Sequence, residues 1–560
     1  MDFKAALATL LKKELKQDVE ALLEIPPDPS LGDYAFPCFS LAKELKKNPN
    51  QIAQDLAKQF KVDFITKIEV KGAYLNFFVN KTLLTKDVLT QVLKEQANYG
   101  KRKKRKEVIM IESPGPNTNK PLHLGHVRNM ILGNALVHIH TFLGYKTLRV
   151  DIVNDRGVHI CKSMLAYQKF GKGKQPDKKS DHFVGDFYVR YTKESEKNPK
   201  LEEEIYKMLQ QWEDGNKAVR TLWKKMNAWA LQGFKQTYAR YGTKIDKVYF
   251  ESNHYEKGKA IVDEGLKKNV FVKDEKGNIY CDLNAEGMGN KVVLRADGTS
   301  VYMTQDLALA VLRYKEKKMD KMIYVVANEQ IYHFKALFTI LKKMGYSFAE
   351  YCYHLPYGMV FLPEGKMKSR EGTVVDADDL ADDMQAMALT ELQKRYDELP
   401  KKELEQRAEA IGMGAIKFYM LKYDALQDFT YDPKESISFE GETGPYLQYT
   451  HARLCSILRK AGKLQIKVDP QHYASAEHEI IKHLERFPET LADSSKQYRP
   501  HILARYLLDL GQAVNSYYTG HLVLHENKKI ASARLALIRA VKIVLANGLT
   551  LLGIIPLEEM

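Results

Sequence analysis

The chain has 560 residues, of which 44% are hydrophobic and 10% aromatic, so it can bury several cores and is not intrinsically disordered. Lysine and arginine (86) outnumber aspartate and glutamate (71), and the resulting net charge of +15 favours a polyanionic partner such as RNA or a nucleotide. The stretch closest to a membrane span, 535–556, is interrupted by Arg539, Lys542 and Asn547, which excludes a transmembrane helix.

The N-terminal segment 1–17 predicts an amphipathic helix of a cytoplasmic protein rather than a signal peptide. Its apolar residues recur at helical spacing, and no apolar block with a cleavage site follows them. A turn-rich centre and a strand within 67–79 complete a compact domain over 1–100. The run 101–106 (KRKKRK) is interpreted as a solvated linker, because six adjacent cations repel one another. An RNA contact and a nuclear-localisation signal are the alternative interpretations.

The segment after the linker predicts a nucleotide-binding α/β core. An apolar run at 108–111 is typical of a buried parallel strand, and a helical pattern follows from Leu122 until Gly144 ends it. A second strand is expected at 146–153. Strand, loop, helix and strand in this order predict a right-handed parallel crossover.

The rest of the chain predicts an inserted segment, a return to the sheet and a helical C-terminal part. Residues 171–290 are charged and mostly helical, which indicates an insertion between two halves of the core. Further strands are expected at 291–294, 301–303, 322–327 and 354–361. From about Asp376 onward the apolar stripes are those of a helical bundle.

The sequence His123-Leu124-Gly125-His126 is the strongest chemical signal. It lies where the loop after the first strand opens a helix, and helix N-termini favour phosphate. Gly125 lets a base or ribose approach the backbone. Two imidazole donors at this place suit adenylyl transfer, since they stabilise charge that develops on an α-phosphate.

A second element, residues 365–372 (GKMKSREG), follows the strand expected at 354–361. Cations between glycines on a loop can close over the leaving group of a triphosphate. Zinc is not expected, because the five cysteines lie far apart and the histidines lack a third ligand at zinc spacing.

Together the two elements resemble the HIGH and KMSKS signatures of class I aminoacyl-tRNA synthetases. The wording SPGPNTNKPLHLGHVRN, SVYMTQDLALA, YVVANEQIYHF and GKMKSREGTVV, and the C-terminal LARYLLDLGQAVNSYY, are similar to the arginyl-tRNA synthetase family. The N-terminal LGDYAFPCFSLAKELKKNPNQIAQDLA resembles the extension of that family that binds the tRNA elbow. The five blocks from SPGPNTNKPLHLGHVRN onward stand in the right order, which makes the resemblance specific. With the N-terminal extension it runs over nearly the whole chain.

The resemblance implies a multidomain α/β fold with a split Rossmann-like parallel-sheet core, an N-terminal α+β extension and an all-α anticodon-binding bundle. The implied parts are the tRNA-binding extension 1–100, the linker 101–106, the first core half 107–170, the insertion 171–290, the second core half 291–375, connecting helices 376–440 and the anticodon-binding domain 441–560.

The resemblance also implies a residue set for each ligand. For catalysis it implies His123, His126, Lys120, Lys366 and Lys368. For arginine it implies Glu112, Asn117, Tyr302, Asp306 and Gln330, with Asp306 one helical turn after Tyr302. For ATP it implies His123, Gly125, His126, His333, Met367, Lys368 and Ser369. For tRNA it implies Tyr446, Tyr449, Arg453 and Arg459.

This chain departs from the family wording at two places. Ser369 stands where the second signature lysine usually lies, and either Lys120 or Lys368 can replace that lysine. Asn154-Asp155-Arg156-Gly157 stands where the family has G-D-W-G, and no role is assigned to this loop.

The implied enzyme activates L-arginine with ATP and Mg²⁺ and transfers it to the terminal adenosine of tRNA(Arg). We expect it to be a cytoplasmic monomer that needs tRNA even for activation. Three rival interpretations are a small-molecule adenylyltransferase, another class I synthetase such as the cysteine enzyme, and a catalytically silent RNA-binding paralogue. The first does not explain the long C-terminal helical part, the second would need zinc ligands, and the third does not explain the intact His123 and His126.

Overall fold

The computed structural model describes residues 3–17, 19, 22–60, 62–255, 257–363, 375–396 and 399–560. Two compact units make up the chain. The first consists of 1–99, 453–487 and 509–547, and the second of 100–452, 488–508 and 548–560. In the described part of the chain, no helix is both long and apolar enough to span a bilayer.

The first unit contains a small antiparallel sheet, helices and two C-terminal stretches. Its strands are β1 (Tyr34–Pro37), β2 (Ile65–Lys71) and β3 (Tyr74–Val79), and its N-terminal helices are α1 (Phe3–Leu15), α2 (Phe39–Leu45), α3 (Pro49–Ala57) and α4 (Lys81–Glu95). The strand order is β1-β3-β2. The strand expected within 67–79 is therefore a hairpin, which turns at Gly72 with a positive φ of 60°.

Residues 1–99 pack against the C-terminal stretches of the same unit. The Tyr99 hydroxyl donates to the Leu484 carbonyl at 2.9 Å, and the Asn547 amide donates to the Gln96 carbonyl at 2.9 Å. The N-terminal residues thus share a core with helical residues near the end of the chain.

The second unit is built on a five-stranded parallel sheet. The strands of the whole unit, in chain order, are β4 (Val108–Glu112), β5 (Lys146–Val153), β6 (Lys247–Phe250), β7 (Phe271–Lys273), β8 (Ile279–Asp282), β9 (Asn290–Leu294), β10 (Lys321–Ala327), β11 (Cys352–Tyr357), β12 (Val360–Phe361) and β13 (Phe429–Thr430). The core sheet has the order β11-β10-β4-β5-β6, and all of its pairings are parallel.

The helices of this unit and of the C-terminal part occur both between strands and in uninterrupted series. They are α5 (Leu124–Phe142), α6 (Val158–Ala166), α7 (Ser180–Lys197), α8 (Lys200–Glu213), α9 (Lys217–Tyr241), α10 (Lys257–Lys267), α11 (Tyr302–Lys317), α12 (Ile331–Lys343), α13 (Ala377–Gln393), α14 (Lys401–Leu421), α15 (Pro433–Ser436), α16 (Gly444–Lys460), α17 (Ser475–Gln497), α18 (Pro500–Gly520) and α19 (Lys528–Leu551). The prediction of a mostly helical chain after 376 is confirmed, with the two-residue strand β13 as an exception.

The strand order reverses at β4. The chain adds β5 on one side of β4 and later returns to add β10 on the other side. Ligands of open parallel sheets bind in the crevice outside the carboxyl ends of the strands at such a reversal. Glu112 and the loop that leads to His123 lie at this crevice.

Three strand predictions differ from the structure. β6 lies inside 171–290 but pairs with β5, so it belongs to the core sheet rather than to inserted helices. The strand predicted at 301–303 is wrong: Tyr302 begins α11, and the Thr304 hydroxyl accepts a hydrogen bond from the Val301 amide at its N-terminus. The strand at 291–294 exists as part of β9, in a separate antiparallel sheet of order β7-β8-β9.

The basic run 101–106 has exposed side chains, as predicted, but its backbone is anchored. The amides of Arg102 and Arg105 donate to the carbonyls of Phe142 and Gly144 at 3.2 and 2.7 Å. A side chain at Gly144 would collide with the Lys103 carbonyl. We call residues 101–106 the cationic strap, since they lie along the end of α5 rather than forming a free linker.

Candidate active site

The loop after β4 is held against the loop after β5. Asn117 and Asn154 form an isolated parallel bridge, and the Thr118 amide donates to the Asn154 carbonyl at 3.2 Å. The Gly115 amide donates to Asp151 at 2.8 Å. Backbone and side-chain hydrogen bonds therefore join the two loops at the floor of the crevice, and Asn117 lies there, partly buried.

His123 and His126 both cap the N-terminus of α5, each through a ring nitrogen that accepts a backbone hydrogen bond. Nδ1 of His123 accepts from the Gly125 amide at 3.2 Å, and Nδ1 of His126 accepts from the His123 amide at 3.1 Å. The ring centroids are 3.9 Å apart. His123 is thus the N-cap residue, so the helix predicted from Leu122 begins at Leu124. The capping by both rings brings the two imidazoles together.

This capping fixes the tautomer of both neutral rings. Because each Nδ1 is an acceptor, the hydrogen of each neutral ring is on Nε2. Burial, together with the nearby Lys120, lowers the pKa of His123 to about 4. Burial also lowers the pKa of His126 well below its ordinary value, with His123 and Lys120 adding to the effect. At neutral pH the pair therefore offers two neutral Nε2–H donors beside a partly buried lysine, whose own pKa burial lowers.

α5 packs closely on the sheet directly behind the histidines. The Asn129 amide donates to the Val325 carbonyl of β10 at 2.7 Å, and the Ser113 hydroxyl donates to the Asn129 side chain at 2.5 Å. A Cβ on Gly133 would lie 2.6 Å from the Ser113 hydroxyl and 2.8 Å from the Arg149 guanidinium. The absence of a side chain at Gly133 thus allows the helix that carries His126 to approach β4 and β5.

Glu112, predicted to hold the α-ammonium of arginine, lies at the end of β4 with its side chain only 9% exposed. It forms an ion pair with Arg313 of α11, whose side chain is fully buried. Burial raises the pKa of the Glu112 carboxyl, whereas the Arg313 charge opposes that shift. Glu112 therefore already has an internal cationic partner, and an ammonium would have to share this carboxylate with Arg313.

Asp306 lies on α11 one turn after Tyr302, as the sequence predicts. Its carboxylate is 2.6 Å from Nε2 of His333 on α12, so His333 contacts an arginine-binding candidate, and its place on the ATP side stays a prediction. Tyr302 (77% exposed) and Gln330 are exposed, and within the described residues no hydrogen bond holds either side chain in the cleft. Asp306 thus lies on the same face of α11 as the exposed Tyr302.

Glu251, directly after β6, is a candidate that the sequence did not indicate. Burial raises its pKa to about 7, with Asp155 and Asp306 adding to the rise, while Arg156 and a hydrogen bond from Gln305 oppose it. This side chain is 15% exposed. A carboxyl end of a core strand is where ligands bind, so recognition of β6 would have pointed to Glu251.

The departure at Asn154–Gly157 has a structural explanation. The Arg156 guanidinium lies 4.0 Å from the ring centroid of Tyr255 and 5.1 Å from that of Trp212. It also pairs with Glu213 at 2.5 Å and Glu251 at 3.8 Å. Arg156 thus joins helix α8 to the acidic cleft, and the aromatic surface of this wall comes from Trp212 and Tyr255.

The second signature element lies outside the described residues. Lys366, Met367, Lys368 and Ser369 belong to the range 364–374, so their candidate roles stay predictions. The described segment that follows this range pairs with the histidine loop: the Leu124 amide donates to the Val375 carbonyl, and the Ala377 amide donates to the Leu122 carbonyl, both at 2.9 Å. The C-terminal flank of the loop is therefore fixed beside His123.

The four candidate tRNA-binding residues all lie on α16. Tyr449 makes an edge-to-face contact with Phe439, and Tyr446 and Tyr449 are both partly buried. The Arg453 guanidinium lies 4.0 Å from the ring centroid of Tyr518, while Arg459 is exposed. Tyr449 and Arg453 thus take part in packing, so nucleic-acid contact stays a prediction for all four.

Family models match three consecutive parts of the chain. Residues 1–79 match "Arginyl tRNA synthetase N terminal domain", residues 88–433 match "tRNA synthetases class I (R), catalytic domain", and residues 447–560 match "DALR anticodon binding domain". The catalytic match covers more than half of the chain and contains every candidate of the crevice.

Known proteins are similar over nearly the full length. The arginine–tRNA ligase of Treponema denticola is 48% identical over 96% of this chain and 94% of its own length, and that of Bacteroides fragilis is 43% identical over 93% of each. The solved structure of the Thermus thermophilus arginyl-tRNA synthetase superposes with a TM-score of 0.88 at 27% identity, covering 100% of this chain and 99% of that chain.

Proposed function

The chain belongs to the arginyl-tRNA synthetases, which are class I aminoacyl-tRNA synthetases, and on that premise we propose how its residues carry out the arginine–tRNA ligase reaction. The observation that carries the proposal is the pair of neutral imidazoles at the N-terminus of α5, with both Nε2–H groups available beside an acidic cleft. Such a pair binds phosphate oxygens as a donor and does not titrate near neutral pH.

In the first step the carboxylate of arginine attacks the α-phosphate of ATP. A bond forms between the carboxylate oxygen and the α-phosphorus, and the bond to the departing pyrophosphate breaks. The Nε2–H groups of His123 and His126 and the partial positive charge at the N-terminus of α5 stabilise the negative charge on the α-phosphate. Gly125 leaves space for the nucleoside, and Mg²⁺ enters with ATP and neutralises its phosphates.

The leaving pyrophosphate needs cations. Lys120, partly buried three residues before His123, is suited to this role because its ammonium already acts on both imidazoles. Lys366 and Lys368 of the second signature element supply further charge, with Met367 and Ser369 beside the nucleotide. Lys120 and Lys368 are both candidates to replace the missing second signature lysine.

The acidic cleft selects the guanidinium of arginine. Asp306 and Glu251 supply two carboxylates that influence each other electrostatically, which matches a planar cation with five donors. Tyr302 and Gln330 complete this end, and His333 orients Asp306 through the 2.6 Å hydrogen bond. Glu112 and Asn117, at the end of β4, hold the α-ammonium and neighbouring polar atoms.

In the second step the ribose 2′-OH of the terminal adenosine of tRNA(Arg) attacks the carbonyl carbon of arginyl-adenylate, and AMP leaves. The anticodon domain binds the tRNA, and we assign anticodon contacts to Tyr446, Tyr449, Arg453 and Arg459 on α16. Residues 1–100 serve as the tRNA-elbow extension, and the helices within 171–290 form the connective insertion. The proposed enzyme is a cytoplasmic monomer without a zinc ion.

Aminoacylation of tRNA(Arg) with each of the twenty amino acids tests the proposal. We expect charging with arginine alone, dependent on ATP. Charging with cysteine or another amino acid would identify a different synthetase. No charging, combined with AMP transfer to a small molecule, would identify an adenylyltransferase, and no charging with retained tRNA binding would identify a silent paralogue.

A further inference from the structure

A buried ion cluster joins the inserted helices to the segment that brackets His123. The Lys179 ammonium, just before α7, lies 2.7 Å from Asp181 and 2.8 Å from Asp378. It also donates to the Thr237 hydroxyl of α9 at 2.8 Å. Nε2 of His182 lies 3.0 Å from Asp378. One lysine therefore connects α7, α9 and the first turn of α13.

The cluster is enclosed and closely packed. The Asp181 side chain is fully buried, and those of Lys179 and Asp378 are 19% and 16% exposed. A Cβ on Gly233 of α9 would collide with the Asp181 carboxylate, so the helix can pass here only because residue 233 lacks a side chain. Removing the ammonium would leave two carboxylates close together without their central cation.

Asp181, His182 and Asp378 also have a spacing that could suit a metal ion, since their ligand atoms lie within 4.8 Å of one another. The Lys179 ammonium, however, contacts both carboxylates. An internal cation, the Lys179 ammonium, therefore already pairs with both carboxylates. The function of the cluster follows from the segment that it holds in place.

The positioned segment is 375–378. The Asp376 side chain accepts from the Asp378 amide at 2.8 Å and so caps α13, while the backbone of Asp376 forms an antiparallel bridge with His123. On the other side, the Tyr241 hydroxyl of α9 donates to the Ala377 carbonyl at 2.7 Å. The backbone around the catalytic histidine is thus held by a segment whose own position depends on α7 and α9.

We propose that Lys179 is a positioning residue for arginine activation: through Asp378 it fixes the 375–378 segment against the histidine loop, and so fixes the imidazoles relative to the α-phosphate. This inference rests on the proposed role of the histidines. It assigns to the inserted helices a direct part in the geometry of the chemical step, because a shift of about 1 Å in a catalytic group can cost about 10²-fold in rate.

The test is the Lys179→Met variant, with Lys178→Met as the matched control. Lys178 is the neighbouring lysine, and it pairs with Asp186 in a partly exposed position away from the cluster. We expect Lys179→Met to lower kcat for arginine activation about 10–100-fold, with the KM for arginine changed less than about threefold. The KM should stay nearly unchanged because Asp306 on α11 and Glu251 after β6 do not belong to the cluster. Lys178→Met should keep both constants.

Two further variants separate positioning from loss of folding. Lys179→Arg keeps the cation and should recover part of kcat, and Asp378→Asn, which keeps the shape of the side chain, should reproduce the Lys179→Met defect. If Lys179→Met does not fold, Asp378→Asn alone decides. The inference is overturned if kcat of the folded variants stays within about twofold of the control, if the KM for arginine rises in parallel, or if Lys179→Arg is as impaired as Lys179→Met. A normal rate for His126→Ala would instead overturn the proposed function.

Discussion

The raised pKa of Glu251 gives a prediction with both a size and a pH range. Replacing Glu251 by Gln removes a mostly buried carboxylate that we propose binds the guanidinium together with Asp306. A hydrogen bond to a charged group contributes about 1.5–3 kcal/mol, so the KM for arginine should rise about 10–150-fold. Because we propose that kcat depends on the imidazole pair, kcat should change much less than the KM.

The pH dependence of kcat/KM for arginine should reveal the titration of Glu251. The pKa of Glu251 is raised to about 7, so the carboxylate is present above this value and lost as the pH falls through it. In the original enzyme kcat/KM should therefore fall about tenfold per pH unit below about pH 7. In Glu251→Gln the fall should begin only near pH 6, where Asp151 and Asp376, each with a pKa raised by burial to about 6, take up protons.

Steady-state aminoacylation with saturating ATP and tRNA, measured from about pH 5.5 to about pH 8.5, supplies both quantities. Glu213→Gln is the matched control, because Glu213 pairs with the same Arg156 from the side of α8. It should keep the low KM and the fall below about pH 7. If Glu251→Gln behaves like Glu213→Gln, the Glu251 carboxylate does not bind the guanidinium.

His126→Ala should lower the rate of activation about 10²–10³-fold, as expected for one lost transition-state donor, and a change under about tenfold in folded protein would contradict the catalytic role. Asp306→Asn should mainly raise the KM for arginine, and an unaltered KM would refute its assignment to the guanidinium. Without tRNA, arginine-dependent pyrophosphate–ATP exchange should stay near background; brisk exchange would show that activation does not need tRNA. Gly133→Ala should destabilise the enzyme by about 1–3 kcal/mol, seen as a lower Tm, because the new methyl meets Ser113 at 2.6 Å, whereas Gly520→Ala, with no atom within 4 Å of its Cβ, should not.

Local patterns predicted the core of the site well. Sequence patterns predicted β4, β5 and the helix after His123. The predicted bounds of β5 equal the observed ones, and those of β4 and α5 differ from the observed ones by at most a few residues. The helix was predicted to begin at Leu122. His123 instead uses its ring nitrogen as the cap acceptor, so it precedes the helix and does not belong to it. A helix start is decided by which atom caps it, and spacing alone does not reveal that.

The parts that sequence reasoning missed depend on pairing between distant residues. β6 has four residues and lies among long charged helices, so only its parallel pairing with β5 identifies it as a core strand. Glu251 was missed with it. At 301–303 an apolar triplet favoured a strand, yet the Thr304 hydroxyl binds the Val301 amide and starts a helix. Likewise, nothing near Glu112 in the sequence reveals its pairing with Arg313, which comes from a helix far along the chain.

The cationic strap determines how the chain could be divided into separately produced fragments. A catalytic fragment that started at Glu107 would lose the hydrogen bonds from the amides of Arg102 and Arg105 to the carbonyls of Phe142 and Gly144. It would also expose the C-terminal end of α5 to water. One that started at Gly100 would retain them. Six consecutive trypsin recognition residues would then form its N-terminal border, and those near the two anchored amides would be cleaved more slowly than an unstructured tail of the same composition.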